Sequence, residues 1–315
     1  MKIDKYMITM ILFIIIISTV GIVTLWNNKS EFYSVFKSGD VINKTNEIYS
    51  SNVAFSDEFI ELWSETQSLS NAQLLDDAEY GVLIKDSNGS LYFPAADVDV
   101  SKYAQNTVNF AKKLKEKETP FVYIQAPNKY LKGYTEEIVS EYNFSNKNAD
   151  EFITMIKEND VDVLDLRELI IKENLNRDEM FYKTDHHWTT DTAFWAFTKI
   201  VEYMNLVYNL NIDENGFYTN INNYKKEFME DCFLGSLGRR VGKSVSGLDD
   251  YTFIEPNFET DYKIYNGIAS KEKTIFEGDF SKAIAKEKIL ANQDVTVNKH
   301  AAYFEWDYRK SNYKK

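Results

Sequence analysis

Phe181-Tyr182-Lys183-Thr184-Asp185-His186-His187-Trp188-Thr189 is the most informative segment of this chain, because it holds two of the three histidines in the whole sequence. Histidine is the side chain whose unperturbed pKa lies nearest to neutrality. A carboxylate two residues before a histidine can orient that histidine as a general base. We therefore expect any chemistry to centre on this segment, which is called the two-histidine loop (residues 181–189) below.

Helical and strand patterns alternate ahead of the loop. We predict helices over residues 102–117, 150–157 and 167–173, and apolar strands over residues 120–125 and 161–166. This order predicts an α/β fold with a parallel sheet covered by helices. Ligand sites in such sheets form at the carboxyl ends of the strands, and the loop follows the last strand of the series.

Two further elements frame this core. Gly81-Val82-Leu83-Ile84 and Ser90-Leu91-Tyr92-Phe93 flank an Asn88-Gly89 turn, which predicts a β-hairpin. Thr189 or Thr190 can cap a long helix that runs through Met204. Residues 210–315 form a less regular C-terminal part with short predicted strands.

The N-terminus carries a membrane signal. Met7 to Trp26 is an uncharged run long enough to cross the hydrocarbon layer of a bilayer. Lys2 and Lys5 precede the run, which places the N-terminus in the cytoplasm and the rest of the chain outside it. The run is longer than the apolar core of a cleaved signal peptide, so it predicts an uncleaved signal anchor and a single-pass protein of the cell membrane.

The domain organisation follows from these segments. Residues 1–30 are predicted to be the transmembrane anchor and residues 31–80 a stalk. Residues 81–209 are predicted to form the α/β core. Residues 210–315 are predicted to be an irregular continuation of the same domain, which we expect to be incomplete. The net charge of -13, without clusters of Lys and Arg, excludes a typical nucleic-acid binder. The lone Cys232 rules out an intrachain disulfide.

The spacing within the loop suggests roles for its side chains. In an extended loop Asp185 and His187 project to the same side, so the carboxylate can fix the tautomer of a base that activates a nucleophile. His186 then points the other way and packs. Trp188 and Tyr182 are expected to wall the site and contact substrate.

Simpler interpretations of the same residues remain open. Asp185 can be a helix cap beside two packed histidines. A metal site could use Asp185 and both histidines, although adjacent histidines point apart and only His300 remains as a further nitrogen ligand, so we expect no metal and no cofactor. The glycine-spaced segment 235–242 is either a connecting loop or a rim of the site, with Arg239 or Arg240 holding substrate.

The motif has a known counterpart. Thr184-Asp185-His186-His187-Trp188-Thr189 resembles the signature after which the DHHW protein family is named. It is also similar to the Thr-Asp-x-His-Trp motif of the SGNH hydrolase-like domains of the alginate O-acetyltransferase group. The resemblance extends from the hairpin near Gly81 to the helix that ends near Met204, and we expect it to continue through Gly235-Ser236-Leu237-Gly238-Arg239.

The resemblance implies an extracytoplasmic serine O-acyltransferase or esterase that acts on cell-surface polysaccharide, often beside a membrane-bound O-acyltransferase. It implies that Asp185 and His187 belong to a triad whose serine comes later in the chain, in a Gly-Asp-Ser-like turn. Gly278-Asp279-Phe280-Ser281 is the nearest match, but it has one residue too many between Asp and Ser. Ser281 is therefore a weak candidate.

A continuation like that of the family would place the serine strand beyond Lys315. We accordingly expect a C-terminally truncated chain that carries the base and the orienting carboxylate without the nucleophile. The competing hypothesis is a catalytically inactive carbohydrate-binding or scaffold component of surface-polymer synthesis.

Overall fold

A computed structural model describes residues 4–38, 41–131, 133, 135–266, 273–280 and 289–302. The chain divides into two compact units, residues 1–66 and residues 67–315. The first unit contains helices α1 (Lys5–Asn27), α2 (Lys29–Ser38), α3 (Val41–Asn52) and the start of α4 (Ser56–Ser68).

Helix α1 contains the whole predicted membrane span. It has 23 residues with a mean hydropathy of 2.7, and its side chains are almost all exposed. At 1.5 Å per residue such a helix is about 35 Å long, which matches the ~30 Å hydrocarbon layer. Helix α1 is therefore long and apolar enough to cross a membrane. Helices α2 and α3 pack against each other through Phe32, Val35 and Ile48.

The second unit is a mixture of helices and small sheets. Its strands are β1 (Leu74–Asp77), β2 (Gly81–Lys85), β3 (Leu91–Tyr92), β4 (Val122–Gln125), β5 (Asp162–Asp165), β6 (Tyr224–Phe233), β7 (Asp249–Pro256), β8 (Tyr262–Asn266) and β9 (Lys273–Gly278). Its helices are α5 (Ser101–Lys115), α6 (Glu137–Tyr142), α7 (Ser145–Lys157), α8 (Leu166–Lys172), α9 (Arg177–Met180), α10 (Thr190–Tyr208), α11 (Gly238–Val241) and α12 (Lys243–Ser246). Short 3-10 turns lie at Ile221–Asn223 and Lys299–Ala302.

The predicted parallel pairing is confirmed. Strands β4 and β5 pair in parallel, with Val122 opposite Asp162. Helices α5 and α7 cover one face of this pair, and α10 covers the other, where Leu164 packs against Ala196. The α/β class is therefore confirmed, although the parallel sheet has two strands within the described residues and the other three sheets there are antiparallel.

The predicted hairpin is also confirmed, because β2 and β3 pair antiparallel. Strand β1 joins them on the other edge of β2 and was not predicted. Its sequence is only four residues long and half acidic, so it lacks the alternating pattern that identifies a strand. Leu75, Leu83 and Leu91 of this sheet are buried against Leu237 and Val241.

Strands β6 and β7 form a long antiparallel pair within the part predicted to be less regular. Phe233, Tyr251 and Phe253 at its buried face pack against Tyr182 and Ile289. Because Tyr182 belongs to the two-histidine loop, this cluster packs the loop against the β6–β7 pair. Helix α10 begins directly after the loop, and the Thr189 hydroxyl caps it by accepting a hydrogen bond from the backbone N–H of Thr192.

Candidate active site

The two-histidine loop is a tight bend closed at its base. Phe181 and Trp188 form an antiparallel bridge, and the backbone N–H of Tyr182 donates to the carbonyl of His187 at 3.3 Å. Between these positions the chain is bent rather than extended. The bend brings three consecutive side chains, Asp185, His186 and His187, toward one small region.

Asp185 and His187 form a hydrogen-bonded pair. Oδ1 of Asp185 lies 2.5 Å from Nδ1 of His187 and accepts the backbone N–H of His187 at 2.9 Å. Its Oδ2 accepts the backbone N–H of Ser236 at 2.6 Å. Burial by itself would raise the pKa of the Asp185 carboxyl, but these hydrogen bonds outweigh burial and hold the pKa well below its usual range.

Asp185 holds Nδ1 of His187, yet much of the His187 ring is exposed to solvent. The side chain of Asp185 is 5% exposed, whereas that of His187 is 53% exposed. The hydrogen bond that the His187 ring donates to Asp185 raises the pKa of His187 above its ordinary value, although partial burial opposes the shift. With Nδ1 held by the carboxylate, Nε2 is left to exchange a proton with a reacting group.

The structure corrects the expected direction of His186. Its ring centroid lies 3.9 Å from that of His187, so the two rings lie side by side rather than on opposite sides. The alternation of side chains holds only for extended backbone, and this loop is bent. Nδ1 of His186 lies 3.0 Å from Oγ of Ser236 and 3.5 Å from Oδ1 of Asp185. Burial lowers the pKa of His186.

Ser236 does not complete a triad through His186. A triad histidine uses one ring nitrogen for the carboxylate and the other for the serine. Here Nδ1 of His186 faces both Ser236 and Asp185. His187, for its part, has hydrogen bonds to Asp185 and to the loop backbone within the described part of the chain.

The glycine-spaced segment 235–242 is hydrogen-bonded to the loop. The backbone N–H groups of Leu237 and Gly238 donate to the carbonyl of Thr184 at 3.0 and 2.8 Å, and that of Gly235 donates to the Thr184 hydroxyl at 2.7 Å. A Cβ atom at Gly235 would lie 2.6 Å from the Thr184 carbonyl oxygen. Of the two interpretations left open for this segment, the one that places it against the site is supported.

Asp249 at the start of β7 holds the loop from another side. Its carboxylate accepts the backbone N–H groups of Lys183 and Thr184 at 2.6 and 2.8 Å and the Thr184 hydroxyl at 2.6 Å. Burial raises the pKa of Asp249. Sequence reasoning missed Asp249, because no local pattern links a residue more than sixty positions away to this loop.

Two other residues near the loop, the buried Lys129 and the half-buried His300, were missed as site residues. Lys129 donates from its ammonium to three carbonyl groups of the loop. His300 lies with its ring centroid 5.2 Å from that of His187, and its buried Nε2 has no hydrogen-bond partner within the described residues. Burial lowers the pKa of His300 to about 4. The position of Lys129 just after β4 was a usable signal, since sites form at the carboxyl ends of parallel strands.

One group of side chains could in principle hold a metal ion. Asp185, His187 and His300 each offer one ligand atom, and these atoms lie within 4.8 Å of one another. Both oxygens of Asp185 already accept hydrogen bonds, and one of them holds His187. Binding zinc at 2.0–2.3 Å would require Asp185 to give up one of these hydrogen bonds, so the donor set fits an oriented base better than a zinc site.

Tyr182 is buried, whereas the predicted contact of half-buried Trp188 with substrate stays a prediction. Tyr182 is 3% exposed and packs in the core with Phe233 and Tyr251. Trp188 is half-buried and packs against hydrophobic residues of the parallel sheet and its helices, such as Leu164. Both rings support the loop from the protein interior, because the bend that exposes His187 turns its flanking residues inward.

The remaining predicted site residues have different surroundings. Arg239 is exposed and forms no ion pair within the described residues, so it stays a candidate for substrate binding. Arg240 instead pairs with Asp77 and Glu79. Ser281 lies outside the described residues.

A family model matches the part of the chain that contains the loop. Residues 88–227 match the family model described as the SGNH hydrolase-like domain of the acetyltransferase AlgX. The matched range contains the whole two-histidine loop, so the resemblance inferred from the motif is confirmed. A search of curated proteins found no match.

Solved structures give a similar result for the fold. The chain is similar to Bacillus cereus PatB1 carrying a sulfonyl adduct, with 16% identity, a TM-score of 0.54, and coverage of 73% of this chain and 71% of that one. A DHHW family protein from Eubacterium siraeum has 18% identity and a TM-score of 0.44, over 62% of this chain and 60% of that one. The O-acetyltransferase domain of Pseudomonas putida AlgJ has 13% identity and a TM-score of 0.38, over 58% and 65%. At these identities the likeness to PatB1 establishes the fold alone.

Proposed function

We propose that this protein is a membrane-anchored O-acyltransferase or esterase that acts on cell-surface polysaccharide, with His187 as general base and Asp185 as the residue that orients it. The observation that carries the proposal is the 2.5 Å contact between Asp185 Oδ1 and His187 Nδ1 within a domain that matches an SGNH hydrolase-like acetyltransferase. The resemblance adds a serine nucleophile and a polysaccharide acceptor.

Asp185 and His187, called the dyad below, suit acyl transfer in two steps. A serine hydroxyl attacks the carbonyl carbon of an acyl ester and passes its proton to Nε2 of His187. The imidazolium returns that proton to the departing alcohol, which leaves an acyl-serine. A sugar hydroxyl then attacks the acyl-serine, loses its proton to Nε2 and takes the acyl group, and His187 returns the proton to the serine. Water in place of the sugar gives hydrolysis.

A direct test uses the full chain in detergent with p-nitrophenyl acetate as donor and chito- and manno-oligosaccharides as acceptors. If the nucleophile lies among residues outside the described ranges, acetylated oligosaccharide is expected by mass spectrometry, with His187→Ala lowering the rate by about 10²-fold or more. His186→Ala is the matched control, because this neighbouring ring is not held by the short contact to Asp185, and it should keep most of the rate. Equal losses in both variants would contradict the assignment of His187. Ser281→Ala tests the weak nucleophile candidate in the same assay.

One observation favours a second function. Within the described residues, no serine or threonine hydroxyl is hydrogen-bonded to His187. A chain without a nucleophile would bind surface carbohydrate, or act as a scaffold for a membrane-bound O-acyltransferase, without turnover. Absence of acetyl transfer in the wild-type chain, together with measurable oligosaccharide binding by calorimetry, would support this alternative.

The proposed location has its own test. With helix α1 as the anchor and the lysines before it inside the cell, the second unit would lie outside the cytoplasm. In a Cys232→Ser background, a cysteine introduced at the exposed position Ser70 should react with a membrane-impermeant maleimide in intact cells. A cysteine at Asp4 should react only after lysis. The reverse pattern would contradict the topology.

A further inference from the structure

Three backbone carbonyl groups of the two-histidine loop converge on one side chain. Nζ of Lys129 lies 2.6 Å from the carbonyl oxygen of Tyr182, 2.7 Å from that of Lys183 and 2.9 Å from that of Asp185. These are short distances for N–H···O hydrogen bonds. The bend at residues 182–185 is therefore built around the Lys129 ammonium.

The number of donors matches the number of acceptors. A lysine ammonium has three N–H donors and no acceptor, and each donor of Lys129 has one carbonyl of the loop. Lys129 is 4% exposed, so water does not substitute for these partners. The ammonium also lies 5.3 Å from the centroid of the Tyr92 ring, which adds a cation–π contact.

The fold fixes the origin of this side chain. Lys129 follows Gln125, the last residue of β4, by four positions and so extends from the carboxyl end of the parallel pair. The loop it holds comes from a different part of the chain, more than fifty residues later. Lys129 thus ties the position of the loop to the parallel sheet.

We propose that Lys129 is a positioning residue for the dyad, whose three hydrogen bonds hold the loop in the bend that lets Asp185 reach His187. The inference rests on the proposed function, because the place of His187 matters for catalysis only if His187 is the base. The contact with the Asp185 carbonyl makes the connection direct, since it restrains the backbone of the residue whose side chain holds the base.

Burial and the neighbouring carboxylates act in opposite directions on the charge of Lys129. Burial lowers the pKa of Lys129 to about 7, while the carboxylates of Asp249, Asp185 and Asp86 oppose that shift. A buried ammonium is costly unless its hydrogen bonds are complete. Only the charged form has three N–H donors, so the three carbonyl contacts favour the ammonium and oppose the deprotonation that burial promotes.

The test measures the pKa of His187 in the full chain by NMR with ¹⁵N-labelled histidine. Only three histidines contribute signals, and His186→Gln and His300→Gln assign them. Lys129→Met removes a positive charge, which by Coulomb's law alone would raise the pKa of His187. If Lys129 positions the loop, the Asp185–His187 contact loosens instead, and the pKa of His187 falls toward its ordinary value. The two mechanisms therefore predict opposite signs.

Two further variants make the result decisive. Lys129→Arg keeps the charge but cannot place three donors on the same three carbonyls, so we expect the pKa of His187 to fall here as well. Lys85→Met is the matched control, because Nζ of Lys85 also donates to a backbone carbonyl, that of Val245, at 2.7 Å. This carbonyl does not belong to the two-histidine loop, so the substitution should leave the pKa of His187 unchanged.

An unchanged or raised pKa of His187 in folded Lys129→Met would overturn the inference. If that variant does not fold, an unchanged pKa in Lys129→Arg would overturn it. The measurement needs no turnover, so a chain that transfers no acyl group can still show the predicted fall. In that case the proposed function fails and the positioning role stands.

Discussion

Nδ1 of His187 lies 2.5 Å from Oδ1 of Asp185, although a single residue separates them in the chain. The contact is possible because the loop bends and because backbone N–H groups of His187 and Ser236 also bind the carboxylate. The orientation of the base is thus determined within one bend and the glycine-spaced segment beside it.

Replacing Asp185 by Asn tests this contact without a large change in shape. The amide cannot stabilise the imidazolium as a carboxylate does, so we expect the pKa of His187 to fall and any acyl transfer to drop by about 10²- to 10⁴-fold. Asp191→Asn is the matched control, because Asp191 is an exposed carboxylate in the first turn of α10. NMR titration and the acetyl-transfer assay measure the two effects. An unchanged pKa would show that the contact does not stabilise the imidazolium.

The raised pKa of His187 predicts opposite pH trends for activity and stability. The neutral ring is the base, so kcat/KM should rise with pH through a value above 6.5. The imidazolium is the form that Asp185 stabilises, so its contribution to stability is complete below 6.5 and is lost as pH rises through the folded-state pKa. The difference in thermal midpoint between the wild type and His187→Gln, followed from pH 5 to 9, isolates this contribution. A difference that grows with pH would contradict the assignment.

Close packing at Gly235 predicts a strong effect of a single methyl group. A Cβ atom there would meet the backbone of Thr184 and Asp185, which cannot move without displacing the loop. We expect Gly235→Ala to lower the free energy of unfolding by about 1–3 kcal/mol or more. Ser236→Ala next to it keeps the backbone N–H that binds Asp185 and should change stability by about 0.5 kcal/mol or less. Urea denaturation measures both, and equal effects would contradict the packing argument.

The sequence predicted the local features of this protein well. The hairpin at residues 81–93, the parallel strands ending at Gln125 and Asp165, and the helix capped by Thr189 all have strong local patterns of polarity or capping. Asp185 and His187 could be paired from spacing alone, because a carboxylate two positions away is within reach of the ring in several backbone conformations.

Contacts between distant segments could not be predicted in this way. Lys129 and Asp249 bind the same loop from segments on either side of it in sequence. The position of Lys129 after β4 indicates the edge of the sheet where a site forms, but no local pattern identifies either residue as a partner of this loop. The predicted direction of the His186 side chain was wrong for a related reason. The bend that turns it toward His187 depends on these long-range hydrogen bonds, whereas the prediction assumed an extended loop.

Asp249 gives a test of one such contact. The two carboxylate oxygens of Asp249 accept three hydrogen bonds from Lys183 and Thr184. In Asn an NH₂ group replaces one of these oxygens, and it would face a donor group of the loop instead of accepting from it. We expect Asp249→Asn to cost about 2–3 kcal/mol of unfolding free energy. Asp250→Asn is the control, because exposed Asp250 accepts one backbone N–H from Asp231, and it should cost about 0.5 kcal/mol or less. A similar cost for both substitutions would show that the buried carboxylate is not specific for the loop.

Zinc content distinguishes the oriented base from a metal site made of the same residues. Asp185, His187 and His300 supply three ligand atoms, and binding an ion would require Asp185 to give up its contact with His187 or with Ser236. A catalytic zinc site needs its ligands within ~2.3 Å of one ion, so the hydrogen bonds and the metal compete for the same oxygens. We therefore expect the full chain, purified from zinc-supplemented cells, to contain far less than one zinc per chain by mass spectrometry, and EDTA to leave the pKa of His187 unchanged. His300→Gln and His186→Gln are the informative pair. One zinc per chain that is lost in the first variant and kept in the second would replace the general-base assignment with a metal centre.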